Sequence, residues 1–138
     1  MDVFIDSDVV ISSLISQSGA AYLLLNKSQI TPVISTISLQ ELQRVTHRMG
    51  IEWNTLGELV KTSLTVITLD EAVKSIQKEY EPFVFDKFDA HIVAGAKKAR
   101  VGYLTTYNLR HFNTDKIKAD FAIRVMTPGT LLQYLRSL

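Results

Sequence analysis

Apolar residues fall along this chain in short runs separated by stretches of helical period. Val3-Phe4-Ile5 is one such run, ended by an acid, and Thr31-Pro32-Val33-Ile34-Ser35 is a second, bounded by proline and hydroxyl residues; both read as buried strands. Residues 9–15 and 20–27 read as helices parted by Ser16-Gln17-Ser18-Gly19. Residues 37–49 carry a helical apolar pattern ended by Gly50, and a further helix is expected over about 52–61. Residues 64–69 alternate and are rich in β-branched side chains, as a strand would be. Asp70 is placed to cap a helix reaching about Tyr80, Pro82 interrupts, and Asp86 is placed to open a helix through Arg100. Residues 102–105 and 122–126 complete the strands, and Thr127-Pro128 starts a last helix with proline at its favoured first position. Strands apolar on both faces, alternating with helices, predict an α/β fold with a mostly parallel sheet between helical layers.

Composition narrows the picture. A chain of 138 residues, 46% hydrophobic, is long enough for one sizeable core, and no linker or repeat divides it, so one domain over 1–138 is expected. Cysteine is absent, which excludes disulfides, a thiolate nucleophile and any sulfur-ligated zinc. The first residues meet an acid at once and no apolar run approaches the ~20 residues that span a bilayer, so a cytoplasmic protein with no membrane partner is expected. The net charge of +1 is unevenly spread. Residues 1–96 hold 7 Lys/Arg against 12 Asp/Glu, and residues 97–138 hold 8 against 2. That asymmetry suits a protein that gathers cations at one place and a polyanion beside it, although chance distribution over a solvated surface serves equally well.

Three acids stand where solvation does not account for them. Asp6 ends the first strand, and ligands of parallel sheets bind outside the carboxyl ends of strands. Glu41 falls about 200° round a helical wheel from Leu39, between Ile37 at ~160° and Val45 at ~240°, on the edge of the core stripe; alternatively it pairs with Arg44 or Arg48 on its own helix. Asp89 falls at ~100° when Phe88 is zero, bracketed by Ile92 at ~40° and Val93 at ~140°, with His91, Lys97 and Lys98 on the other side. A capping box, Asp86-Lys87-Phe88-Asp89, would explain an acid there but not its inward direction. Asp8 is the acid most readily explained as a helix cap. Carboxylates directed inward on three segments make sense together around a hard divalent cation with oxygen ligands.

These residues fit a known pattern: the chain resembles the PIN-domain family, and in particular the toxin nucleases of bacterial and archaeal toxin–antitoxin pairs. The resemblance runs through Phe4-Ile5-Asp6-Ser7-Asp8-Val9-Val10, Ser35-Thr36-Ile37-Ser38-Leu39-Gln40-Glu41-Leu42, Asp89-Ala90-His91-Ile92-Val93-Ala94-Gly95-Ala96 and Leu104-Thr105-Thr106-Tyr107-Asn108-Leu109-Arg110-His111-Phe112. It implies a three-layer α/β/α sandwich with a twisted sheet and hydrolysis of single-stranded RNA with Mg²⁺ or Mn²⁺ held by Asp6, Glu41 and Asp89, leaving 5′-phosphate and 3′-hydroxyl products. Asn108 stands where many members have a fourth Asp, which lowers the charge available to a second metal. Asp8 departs the other way, since Asn is more usual there. Ser7 and Thr106 match site-lining hydroxyls, and Asp86 is an auxiliary acid.

Arg110, Lys97, Lys98 and Lys116 are expected to meet RNA phosphates. No aromatic stretch of the kind that stacks bases is evident. An antitoxin protein and a second copy of the chain complete the implied partners. Two other readings compete. Asp6-Ser7-Asp8-Val9-Val10 also resembles the opening of haloacid-dehalogenase-type phosphatases, which needs a lysine and late acids such as Asp115 and Asp120 at the same site. Asn108 is also compatible with a PIN-like module that binds RNA or protein without cutting.

Overall fold

Alternation along strand β1 (Asp2–Ile5) divides the core in two: Val3 and Ile5 join one buried cluster and Phe4 the other, and all three are fully buried. The structure, a computed structural model, describes residues 1–138. Strands β2 (Thr31–Ser35), β3 (Thr65–Ile67), β4 (Tyr103–Thr105) and β5 (Arg124–Met126) complete a sheet of order β3-β2-β1-β4-β5 in which every pairing is parallel. Helices α1 (Ser7–Ile15), α2 (Ala20–Leu25), α3 (Thr36–Arg48) and α4 (Trp53–Thr62) fall in the first half of the chain. Helices α5 (Val73–Glu79), α6 (Ala90–Lys98), α7 (Thr114–Phe121) and α8 (Pro128–Arg136) follow. The cluster with Val3 and Ile5 takes residues from α1, α2, α4 and α8; the cluster with Phe4 takes them from α5, α6 and α7. The chain runs outward from β1 to β2 and β3, then returns to build β4 and β5 on the other side. Between β1 and β4 the direction of winding reverses, and a crevice opens at their carboxyl ends.

Helix α6 is the buried partner of that crevice. Residues 90–96 are all buried, so the helix is wrapped on every side rather than amphipathic. Gly95 makes its approach to β1 possible, because a Cβ there would lie 2.5 Å from Phe4 Cζ.

The layering agrees with the sequence, but several boundaries do not. Residues 86–100 are not one helix: Lys87–Asp89 is a 3₁₀ turn ahead of α6. Phe88 therefore does not define the core face; its ring is exposed, while His91, expected on the outer face, is buried. The helix near Asp70 starts only at Val73, and Asp70 does not cap it; Ala72 stands at the cap without a side-chain bond. Helix α7 was not anticipated. Asn113 caps it by accepting from Lys116 N, and it ends at Ala122, whose φ of 57° is left-handed. No helix is long and apolar enough to cross a membrane.

Candidate metal and catalytic site

Asp6 leaves β1 as the N-cap of α1, and the register Ile5↔Thr105 carries the chain directly beside it: Asp6 N donates to Thr105 O at 3.0 Å. The buried Asp6 carboxylate accepts from Ser7 N at 2.7 Å and from the Thr106 hydroxyl at 2.8 Å. Two residues on, Asp8 does not cap α1. Its Oδ2 accepts from Tyr107 N at 3.0 Å and from Asn108 Nδ2 at 3.1 Å, pinning the loop after β4 to the start of α1. Asn108 in turn donates its backbone N–H to Thr106 Oγ1. Five of the residues singled out by sequence, Asp6, Ser7, Asp8, Thr106 and Asn108, thus share one hydrogen-bonded network.

Glu41 enters from α3. It lies beside Ser7, whose buried hydroxyl has no hydrogen-bond partner, and its Oε2 accepts from His91 Nε2 at 3.2 Å. Its pairing is therefore with His91 on α6; Arg44 adds only a weaker attraction. Asp89, at the entry to α6, accepts from His111 Nδ1 at 2.9 Å. Asp86 accepts from Phe88 N and caps the 3₁₀ turn, but Asp89 does not reach back, so only half of a capping box forms. Asp86, Asp89 and His111 each offer a ligand atom within 4.8 Å of the others; Asp6, Glu41 and Asp89 do not form so tight a group.

Electrostatically the crevice is short of positive charge. Burial, with Asp8 and Asp89 nearby, pushes the Asp6 carboxyl up to about 8 against the opposing bonds from Thr106 and Ser7. Burial also raises Asp8, assisted by Asp89, and raises Asp89 in spite of His111. Glu41 is the exception, held low chiefly by its bond from His91. Asp8 Oδ1 is buried without any partner. An oxygen-only set of acids, raised by burial and mutual repulsion and with a carboxylate oxygen left over, fits a hard divalent cation.

The expected phosphate contacts divide by position. Arg110 is exposed on the 3₁₀ turn Leu109–His111, next to the network. Lys97 and Lys98 close the far end of α6, some eight residues from Asp89, or roughly 12 Å along the axis. There Lys97 lies over the rings of Phe121 and Tyr80, and Lys98 donates to Thr68 O. That end of a helix running back along a parallel sheet faces away from the crevice, so the structure does not bring these two lysines to the acids. Lys116 is engaged with Asp120 and the Phe83 ring. His91 and His111 were missed as site residues, because a wheel centred on Phe88 turns His91 outward.

An acid crevice at the switch point of a doubly wound parallel sheet defines the class of fold and site. The PIN domain family profile matches residues 2–110, and the chain belongs to the PIN-domain family. That membership removes the phosphatase reading; Asp115 and Asp120 lie exposed on α7, and neither ends a strand. The fold is shared with VapBC2 from Rickettsia felis, solved bound to a DNA fragment from its promoter (TM-score 0.62, 19% identity, covering 91% of this chain and 97% of that one). It is shared too with PAE2754 from Pyrobaculum aerophilum (TM-score 0.62, 14% identity, 100% and 97% covered). A third is VapC20 of Mycobacterium tuberculosis, a toxin that cleaves the sarcin-ricin loop (TM-score 0.55, 16% identity, 88% and 98% covered). No curated protein matches the chain.

Proposed function

We propose that residues 1–138 form a single nuclease domain that hydrolyses phosphodiester bonds of single-stranded RNA with Mg²⁺ or Mn²⁺, as the toxin of a toxin–antitoxin pair. The observation that carries the reading is the crowding of Asp6, Asp8 and Asp89 at the carboxyl end of the sheet, each pushed up from its ordinary value chiefly by burial. Asp6, Glu41 and Asp89 hold the cation. When bound, it supplies Lewis-acid charge and a water of lowered pKa. Thr106 and Ser7 orient Asp6, His91 keeps Glu41 ionised, and His111 fixes Asp89, so the acids are presented by bonds already made. Arg110 meets the substrate backbone. VapBC2 and VapC20, which share the fold, are the support for a toxin role and an antitoxin partner.

Asn108 favours a second reading, a module that binds RNA or protein without cutting, because its amide is given to Asp8 where a fourth acid would add charge. Incubation of a labelled single-stranded RNA with Mg²⁺ or Mn²⁺ separates the two. Cleavage that chelation and Asp6→Asn both abolish supports the nuclease; binding with no metal-dependent cleavage supports the module.

A further inference from the structure

Phe88 departs from its surroundings. The next two residues, Asp89 and Ala90, turn inward, yet the Phe88 ring is 67% exposed, and Phe85 three residues earlier is 73% exposed. Leaving a phenylalanine in water forgoes the gain of burying its ring. Isolated apolar residues on a surface are ordinary. Two rings within a four-residue stretch that ends beside the site's Asp86 and Asp89 are not isolated, and Phe88 has a defined setting.

Lys87 Nζ stands 5.4 Å from the Phe88 ring centroid, a cation–π contact at the surface. Phe88 also walls a groove of about 180 Å³ between α3, α5 and the 3₁₀ turn, floored by Ile37 and Ile76 and shared with Glu41 and Arg44. Sites for whole drug-sized ligands run to ~300–1,000 Å³, so this one suits a single planar ring system. An open aromatic face, an apolar floor and two cations, directly beside an acid of the metal site, match a nucleobase and its phosphate. An apolar protein segment would use the floor but bring no anion to Arg44 and Lys87.

We propose that this groove holds one base of the single-stranded substrate, stacked on Phe88, with the adjoining phosphate taken by Arg44 and Lys87. The proposal rests on the nuclease reading above and specifies where that substrate lies next to Glu41.

The test measures binding of a fluorescent single-stranded oligoribonucleotide, with magnesium, to the full chain carrying Asp6→Asn so that the probe stays intact. Adding Phe88→Ala should weaken Kd by about 5- to 150-fold, the equivalent of ~1–3 kcal/mol for one stacked base, and Phe88→Trp should retain binding. Trp53→Ala, at an exposed aromatic on the other side of α3, should leave Kd unchanged. An abasic position walked along the probe should cancel the Phe88→Ala effect at one position, which an effect on folding would not do. Equal Kd values for the Phe88→Ala protein and its parent, at every abasic position, overturn the groove while wild-type cleavage keeps the nuclease reading. Loss of a co-purifying protein partner with RNA binding intact assigns the groove to that partner and overturns it too. Failure of the wild type to bind or cut any single-stranded RNA overturns both.

Discussion

Asn108 Nδ2 donates to Asp8 Oδ2 at 3.1 Å, so the position that departs from many family members is bonded to the other position that departs. The two departures are expected to compensate in part, an amide beside an extra acid standing where the family resemblance implies an acid beside an amide. Asn108→Asp should break that exchange by setting two carboxylates against each other. The metal-free variant is expected to lose up to about 1 kcal/mol, a small loss because the bond between the two side chains is exposed to solvent, and to bind magnesium or manganese more tightly than the wild type. Thermal melts and calorimetric titration check both parts. Weaker metal binding would make the amide itself a working part of the site.

Stability without metal should depend on pH in a direction set by Asp6. Its folded value lies at about 8, and an ordinary aspartate in the unfolded chain titrates near ~3.9, so the folded state keeps a proton that the unfolded state releases. The contribution is full below about pH 4 and is lost as pH rises through about 8. Raised values at Asp8 and Asp89 act in the same direction, while Glu41, held low, acts oppositely at acid pH. The metal-free Tm should therefore fall between about pH 5 and 8, and Asp6→Asn should flatten the slope and raise Tm at the alkaline end. Parallel slopes for the two proteins would remove Asp6 as the source. Because the cation competes with these protons, its affinity should drop as pH falls below about 8.

Gly95→Ala is expected to destabilise although alanine is the better helix former. The propensity gain is at most ~1 kcal/mol, whereas the new Cβ would stand 2.5 Å from Phe4 Cζ in a fully buried place, and overpacking of this kind costs about 1–3 kcal/mol or more. Phe4→Leu should rescue part of the loss, giving a pair of changes that do not add. Denaturant unfolding of the two single variants and the double variant measures the coupling, and strict additivity would refute the contact.

The three basic residues should behave differently in RNA binding. Arg110→Ala is expected to weaken affinity and lower the salt slope by ~0.7, as for one phosphate contact on a single strand. Lys97→Ala and Lys98→Ala should leave the slope alone. Lys97→Ala should instead lower Tm, since its ammonium covers the rings of Phe121 and Tyr80. A reduced slope for the lysine variants would return them to the interface.

Much of the architecture was legible because its signals are local. An apolar run ending at Asp6 reads as a buried strand aimed at a crevice, and Thr127-Pro128 reads as a helix start; both stand in the structure as expected. The misreadings arise where local period and tertiary context part company. Phe88 lies exposed on a 3₁₀ turn, so a wheel that takes it as the core direction is anchored on the wrong side, and residues 90–96 are buried all round, leaving no outer face for His91 to occupy. Helix α7 has Ile117 as its only buried residue, too little apolar pattern to register. The hydrogen bonds of Asp8 to Tyr107 and Asn108 join positions about a hundred residues apart, a relation that no window along the chain contains.

That long span has a consequence for the chain as it is being made. The Asp6 carboxylate is oriented by the Thr106 hydroxyl, 100 residues further on, and the strand carrying the chain to Thr106 must insert beside β1 before the bond forms. At ~5–20 residues per second, synthesis separates the two by roughly 5–20 seconds. A nascent chain therefore emerges with its first acid exposed on an unfinished sheet edge and no assembled centre around it.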